Sequence, residues 1–407
     1  MTGRAESDGQ MTGIQSASST EQQSQPLAAE EQELRTLAHR LAEETLLDLT
    51  VEWESNCREE VDFGKLTRLL SDVGFLGMTI PVAYGGGGST FRQFVVVLEE
   101  LARVSFPAAF LLQATCGGPV SHLVELGSES LKQAVLPEIA AGRGFATLAI
   151  TEADAGSDIG AMRTLGKPDP VTGEVVISGQ KIYVGGAGVA RYYVVYARLG
   201  PDAGGQGVGC VLVGSETPGM SCGAQAEMLG LRGIPHRVLL LDECRVPRDN
   251  VLLEAGSFGR LMSIFNSERV QIAAITLGMA RGAYEHARQY ALDRRQFGRR
   301  LVDNQGIQWK LADMATKLEV SRLLVYQAAD LRDRGASFAK ESSMAKLFTT
   351  ERAAEIVDEA LQIEGAAGYQ NGFVQAAYRN VRMTRIAAGS SEILRNHLGS
   401  LVARGRL

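Results

Sequence analysis

Residues 261–298 read LMSIFNSERVQIAAITLGMARGAYEHARQYALDRRQFG, and the periodicity of this stretch organises the chain. Leu261, Phe265, Ile272, Ile275, Met279, Ala283 and Tyr290 fall on one stripe at helical spacing, which predicts a helix from about Ser257 to Gln296 buried along one face. Glu268 sits inside that stripe. Burial disfavours the charged form of a carboxyl group and raises its pKa. Such an acid is either neutralised by a neighbouring Arg for packing reasons or available as a general base near neutral pH. The residues alone leave both readings open.

The far end of the predicted helix carries Arg294, Arg295, Gln296 and Phe297 before Gly298, a cationic, hydrogen-bonding cluster suited to a phosphate or a flat polar ring. On a continuous helix Glu268 and Arg294 lie ~39 Å apart, too far for one small molecule to touch both. If both ends serve the same kind of ligand they serve two copies of it, which points to a symmetric oligomer.

A chain of 407 residues, 45% hydrophobic and 22% charged, has the composition of a soluble globular protein with two or three domains. A net charge of -6 argues against nucleic acid as the main partner. The five cysteines, Cys57, Cys116, Cys210, Cys222 and Cys244, show neither CxxC nor metal-ligand spacing, which predicts reduced thiols and no metal site. No apolar run is long enough to span a bilayer and the N-terminus lacks a signal-peptide core, so the expectation is a cytoplasmic protein without a membrane partner.

Residues 1–27 are poor in large apolar side chains and are expected to form a disordered tail. Helical periodicity then runs from 28 to 144, a helical domain. Within it, Tyr84-Gly85-Gly86-Gly87-Gly88-Ser89 lacks the Gly-Lys-Ser/Thr ending of a phosphate loop and reads as a helix-initiating turn. Between 145 and 255 come short runs rich in Val, Ile and Tyr, separated by Gly, Pro and Asp, as in an antiparallel sheet or barrel. From 256 to 407 the helical period returns, with helices from about Ser257 to Gln296, Asn304 to Arg334, Phe338 to Glu364 and Ser391 to Arg404.

Several motifs follow one another in this order: TEADAGSD at 151–158, GQKIYV at 179–184, LRG at 231–233, RRQFG at 294–298, QGIQ at 305–308, QIEGA at 362–366 and GSSEI at 389–393. Together they resemble the acyl-CoA dehydrogenase family from about residue 30 to the C-terminus. The resemblance implies an α+β fold of N-terminal helices, a central antiparallel β-barrel or sheet and a C-terminal four-helix bundle. It also implies FAD as cofactor. By position, Ile150, Thr151, Gly156 and Ser157 would bind the flavin ring and phosphates, with Tyr183 and Gly185 near the ring. Arg294, Gln296 and Phe297 would hold the pyrophosphate and adenine side of FAD in a neighbouring subunit, with Gln362 and Gly365 from the same partner. Gln305, Ser390 and Glu392 complete the implied cofactor set.

Most family members place the catalytic Glu where this chain has Ala388. A smaller group, including isovaleryl-CoA and long-chain dehydrogenases, carries it on the helix described first, immediately before an Arg, and here that place is Glu268-Arg269. The resemblance therefore implies Glu268 as the base that removes the α-proton of an acyl thioester, while the β-hydride passes to FAD. Ala388 would give its backbone N–H to the thioester carbonyl, and Arg269 would hold the pantetheine or phosphate end, beside Asn266.

The chain departs from the family at three places. Tyr183 and Gly185 stand where a Trp and a Ser or Thr hydroxyl are usual, Asn266 replaces an acidic residue, and the loop 200–207 is short and Gly-rich. The last two open the reading of a carrier-protein thioester beside acyl-CoA. The expected partners are the thioester, an electron-transfer flavoprotein or similar acceptor, and further copies of the chain in a homodimer or homotetramer. The rival readings are a flavin monooxygenase or oxidase on the same fold and a non-catalytic flavin-binding homologue.

Overall fold

The computed structural model describes residues 27–55 and 61–407; the expected tail falls outside them, apart from Leu27. Among the described residues seven α-helices come first: α1 (Ala29–Leu41), α2 (Leu47–Ser55), α3 (Phe63–Asp72), α4 (Phe91–Ala102), α5 (Phe106–Cys116), α6 (Gly118–Leu126) and α7 (Glu129–Ala140). Their starts follow local chemistry. The side chains of Asp62, Thr90, Ser105 and Ser128 each accept from a backbone N–H of the first turn, at α3, α4, α5 and α7 respectively. The Gly-rich run at 85–88 leads into the Thr90 cap, where Gln93 completes a capping box, so it is the helix-initiating turn the sequence suggested.

The strands are β1 (Ala146–Ala149), β2 (Leu165–Pro168), β3 (Val175–Gly185), β4 (Tyr192–Arg198), β5 (Val208–Gly214), β6 (Met220–Gln225), β7 (His236–Val246) and β8 (Val251–Leu253). They form one sheet in the order β6-β7-β3-β2-β4-β5-β8, with β1 paired to β4. Of the two forms expected, barrel or sheet, it is an open sheet, antiparallel in most of its pairings and mixed through two parallel ones. The pairs β1–β4 and β2–β4 run parallel because the long excursion through the 151–158 turn and the β2–β3 hairpin brings β4 back in the starting direction. Strand β4 is buried along most of its length, as a strand covered on both faces must be.

The C-terminal part contains α8 (Phe258–Asp293), the short strands β9 (Arg295–Gln296) and β10 (Arg299–Arg300), then α9 (Gln305–Asp333), α10 (Ala339–Glu364), α11 (Ala366–Tyr369), α12 (Phe373–Thr384) and α13 (Ser391–Ala403). Helix α8 ends three residues before the expected Gln296. Phe297 (φ 50°) and Gly298 (φ 78°) are both left-handed, the backbone of a two-residue hairpin turn, and the RRQFG run closes β9 onto β10 instead of prolonging the helix. Helices α8, α9, α10 and α12 form the bundle, and α13 leans on α10. The periodicity reading passed over α12, although Val374, Ala377 and Val381 repeat at helical spacing and are buried.

Helix α8 is the axle of the molecule. Alanine, glycine and β-branched residues from Val270 to Ala280 are buried on every side. A Cβ on Gly278 would lie 2.3 Å from the Glu99 carbonyl oxygen and one on Gly282 2.1 Å from that of Arg103, so α8 crosses the end of α4 backbone to backbone. Charge pairs set the register there: Arg281 meets Glu100 at 2.6 Å, and Arg322 of α9 meets Glu99 at 2.9 Å.

Candidate active site

Glu268 lies in the third turn of α8, facing the junction of α5 and α6. Gln113 Nε2 donates to its Oε1 at 2.8 Å. Its Oε2 is fully buried and meets no donor. That oxygen rests on the start of α6, 2.8 Å from where a Cβ of residue 118 would stand, so any larger residue there would have to displace it. Burial raises the Glu268 carboxyl to about 7, and no cation acts on it. Among the described residues no Arg pairs with it, as the alternative reading of a neutralised acid would require. The adjacent Arg269 turns to the opposite side, donating to Asn266 Oδ1 at 2.8 Å and to Ser343 Oγ of α10 at 3.4 Å.

Below Glu268 the wall is polar and closed. Gly118 N donates to Gln271 Oε1 at 2.9 Å, one helical turn beyond Glu268. His122 bridges the Gly118 carbonyl (2.8 Å) and the Tyr196 hydroxyl (2.7 Å), and burial pushes its pKa down to about 4. It is therefore a neutral structural pin between α6 and β4.

Ala388 occupies a left-handed turn (φ 54°) followed by Gly389 (φ 90°), an unfavourable backbone for alanine. The turn is tied down by Lys346 of α10, a fully buried side chain whose Nζ donates to the Gly389 carbonyl at 2.7 Å. Asn266 and Arg269 reach the same helix α10 one turn earlier, through Ser342 and Ser343. Ser390 caps α13, its Oγ accepting from Ile393 N, and Glu392 is exposed in the first turn.

The residues expected around the flavin ring share another edge. Ile150 and Thr151 leave β1 half-buried, and Ile182 N of β3 donates to the Thr151 carbonyl at 2.8 Å. Tyr183, beside Ile182, is 57% exposed with φ 56°. The following turn is held by Glu152, which accepts from Arg163 N, Thr164 N and the buried Lys181 Nζ (2.6 Å). At Gly185 an added Cβ would lie 3.3 Å from both His236 Nε2 and Phe110, so these rings close over the place of the missing hydroxyl side chain.

Gly156 and Ser157 are exposed at the crest of this turn. Gly156 has no left-handed φ, and a Cβ there would meet nothing within 4 Å, so nothing in the protein requires glycine at this point. An open backbone shelf beside an exposed tyrosine fits a flat polar ring and its phosphates, and FAD fits these residues.

Arg294, Gln296 and Phe297 lie on the exposed β9–β10 hairpin, and the Phe297 side chain is wholly exposed. Gln305 is exposed at the start of α9, and Gln362 and Gly365 are exposed at the end of α10. His286 Nδ1 and Glu364 Oε1, 2.6 Å apart, join the end of α10 to the last third of α8, so the Gln362–Gly365 turn lies toward the hairpin end of α8. Glu268 is separated from Asp293 by ~38 Å of unbroken helix, so within one chain the hairpin stands apart from the Glu268 wall.

Sequence reading missed Gln113, Lys181 and His122. Gln113 and Lys181 each had a signal, a polar side chain inside an apolar helix or at an inward strand position. No cluster of three His, Cys, Asp or Glu side chains suited to a metal occurs among the described residues, and none of their helices is long and apolar enough to cross a membrane.

Comparison with known proteins agrees with this architecture. The family models for the acyl-CoA dehydrogenase N-terminal, middle and C-terminal domains match residues 28–143, 147–244 and 258–402. An acyl-CoA dehydrogenase of Bacillus subtilis (strain 168) is 36% identical over 81% of this chain and 87% of its own length. An acryloyl-CoA reductase (NADH) of Anaerotignum propionicum is 34% identical over 90% of this chain and 93% of its own. The structure of butyryl-CoA dehydrogenase from Megasphaera elsdenii superimposes with a TM-score of 0.89 at 29% identity, covering 93% of this chain and 99% of that one. The open mixed sheet, the α8-centred bundle and these matches together establish that the chain belongs to the acyl-CoA dehydrogenase family of FAD-dependent oxidoreductases.

Proposed function

We propose that the protein catalyses α,β-dehydrogenation of an acyl thioester, with Glu268 removing the α-proton. The observation that carries this reading is the Glu268 carboxyl itself: enclosed, free of any cation, raised to about 7, and left with one oxygen that no protein donor satisfies. A carboxyl group in that state is half ionised near neutral pH and holds a proton without a large change in its surroundings.

Ala388 supplies its backbone N–H to the thioester carbonyl, which acidifies the α-proton, and Lys346 keeps that turn in place through the Gly389 carbonyl. Arg269, anchored to Asn266 and Ser343, holds the pantetheine or phosphate end of the carrier. The 151–158 turn, Tyr183 and Gly185 bind and orient the flavin, while the β9–β10 hairpin with Gln305, Gln362 and Gly365 serves the nucleotide half of FAD in a second copy of the chain. FAD, when bound, supplies the acceptor for the β-hydride, and electron-transfer flavoprotein is the expected outlet for the electrons.

The acyl carrier is CoA or a carrier protein. The short, Gly-rich 200–207 segment gives the second a place: Arg198 Nη1 donates to the Asp202 carbonyl at 2.7 Å and ties the segment to the end of β4. The test is anaerobic mixing of the purified yellow protein with a panel of acyl-CoA and acyl-carrier-protein thioesters while following the flavin absorbance. The wild type bleaches with its substrate, and Glu268→Gln keeps the flavin and does not bleach. Bleaching of the variant at the wild-type rate refutes the base. Rapid reoxidation of the reduced flavin once air is admitted favours the oxidase reading instead.

A further inference from the structure

We propose that Gln113 is a positioning residue that locks the carboxyl group of Glu268 in one orientation; this rests on the reading of Glu268 as the base. Gln113 stands in the last turn of α5, in the segment FPAAFLLQATC, where nearly every other side chain is apolar. Its Nε2 donates to Glu268 Oε1 at 2.8 Å, and its backbone carbonyl accepts from Gly117 N at 2.8 Å, at the turn into α6. The next residue, Gly118, is fixed to α8 through Gln271 Oε1 and lies against Glu268 Oε2. The carboxyl group is thus held by a donor on one oxygen and a close backbone wall at the other.

Such a frame matters because the terminal torsion of a glutamate is broad and two-fold, and an unrestrained carboxyl group exchanges its oxygens freely. Gln113, with its amide on Oε1, therefore holds the carboxyl group in a single orientation. The same amide favours the carboxylate over the acid, opposing the effect of burial and keeping part of the group ionised where the enzyme works. Gln113 touches neither the reacting carbon nor the flavin in this scheme; it acts through Glu268.

The experiment is the pH profile of anaerobic flavin bleaching in the flavin-loaded protein, for wild type, Gln113→Met and Gln113→Asn. Methionine keeps the length and packing without the donor, and asparagine keeps the amide but falls one methylene short. An infrared titration of the buried carboxyl band in the same proteins gives a readout that does not depend on turnover. Loss of the donor is expected to move both the acid limb and the infrared midpoint upward by about one pH unit, so that bleaching at pH 7 falls about fivefold. If Glu268→Gln is inert but both Gln113 variants titrate with the wild type, this inference is overturned while the base stands. If Glu268→Gln itself bleaches the flavin, the base assignment fails and Gln113 falls with it.

Discussion

Replacing Gly118 by alanine tests the site without touching a reacting group. The new Cβ would lie 2.8 Å from Glu268 Oε2, with Cδ and Oε1 at an acceptable 3.5 Å. An ordinary contact begins near 3.4 Å, so the carboxyl oxygen must retreat by ~0.6 Å or more, which a long side chain does at a cost of about 1 kcal/mol. Residue 118 opens a helix and has no left-handed φ, so alanine suits its backbone and returns roughly 0.4–1 kcal/mol through the unfolded chain. The two effects nearly cancel, and thermal unfolding is expected within about 3 °C of wild type. Activity should respond far more. A base displaced by a large fraction of an ångström from the α-carbon loses about 10- to 100-fold in rate. Stopped-flow bleaching of the loaded flavin, with flavin content measured to confirm folding, reads this directly. A Gly118→Ala protein that bleaches at the wild-type rate refutes the placement of Glu268 against α6. Gly117→Ala is the contrast: its Cβ would lie 2.2 Å from Oε1 of the fully buried Gln271, which has nowhere to retreat, so stability should fall by about 1–3 kcal/mol.

The remaining predictions concern charge and assembly. Because burial raises Glu268 to about 7 from an ordinary 4.5, its contribution to stability is complete below the unfolded value and is lost as pH rises through 7. Between pH 5 and pH 8 the wild type should therefore lose about 1–3 kcal/mol relative to Glu268→Gln, read from parallel denaturant titrations. Lys181→Met strands Glu152 without its buried cation and should cost about 3–5 kcal/mol while releasing the 151–158 turn, seen as loss of bound flavin on gel filtration. Phe297→Asp places a charge on a wholly exposed hairpin ring; sedimentation should show weaker self-association together with weaker flavin retention, whereas an unchanged mass and flavin content contradict the hairpin's role across subunits.

Much of the α8 helix was legible in the sequence because one stripe of apolar residues runs through it, and Glu268 was conspicuous as the acid inside that stripe. The end of the helix was not legible. Arg294 to Gln296 have helical character taken singly, and only the left-handed pair Phe297 and Gly298, a property of the backbone, turns the chain into a hairpin. The strands were visible in their Val, Ile and Tyr runs, but whether β1 meets β4 in parallel depends on the path of the intervening excursion, which alternation along a strand does not encode. The walls of the site were the hardest part. Gln113 and Gly118 lie about 150 positions from Glu268 in sequence and meet it only because α5 and α6 cross α8. Ala388 could be read as the absence of an acid, whereas the left-handed turn it occupies is visible only in three dimensions.

Exchange of the substrate α-proton is the most direct measure of the central claim, because it isolates proton removal from hydride transfer. The flavin-loaded protein is incubated in deuterium oxide with an acyl-CoA analogue whose β-position is a sulfur atom and therefore cannot yield hydride, and the α-proton signal is followed by NMR. With Glu268 as the base, the wild type washes the α-proton out and Glu268→Gln slows the exchange by about 10²- to 10⁴-fold while binding the analogue and the flavin as before. Exchange at the wild-type rate in Glu268→Gln contradicts the account.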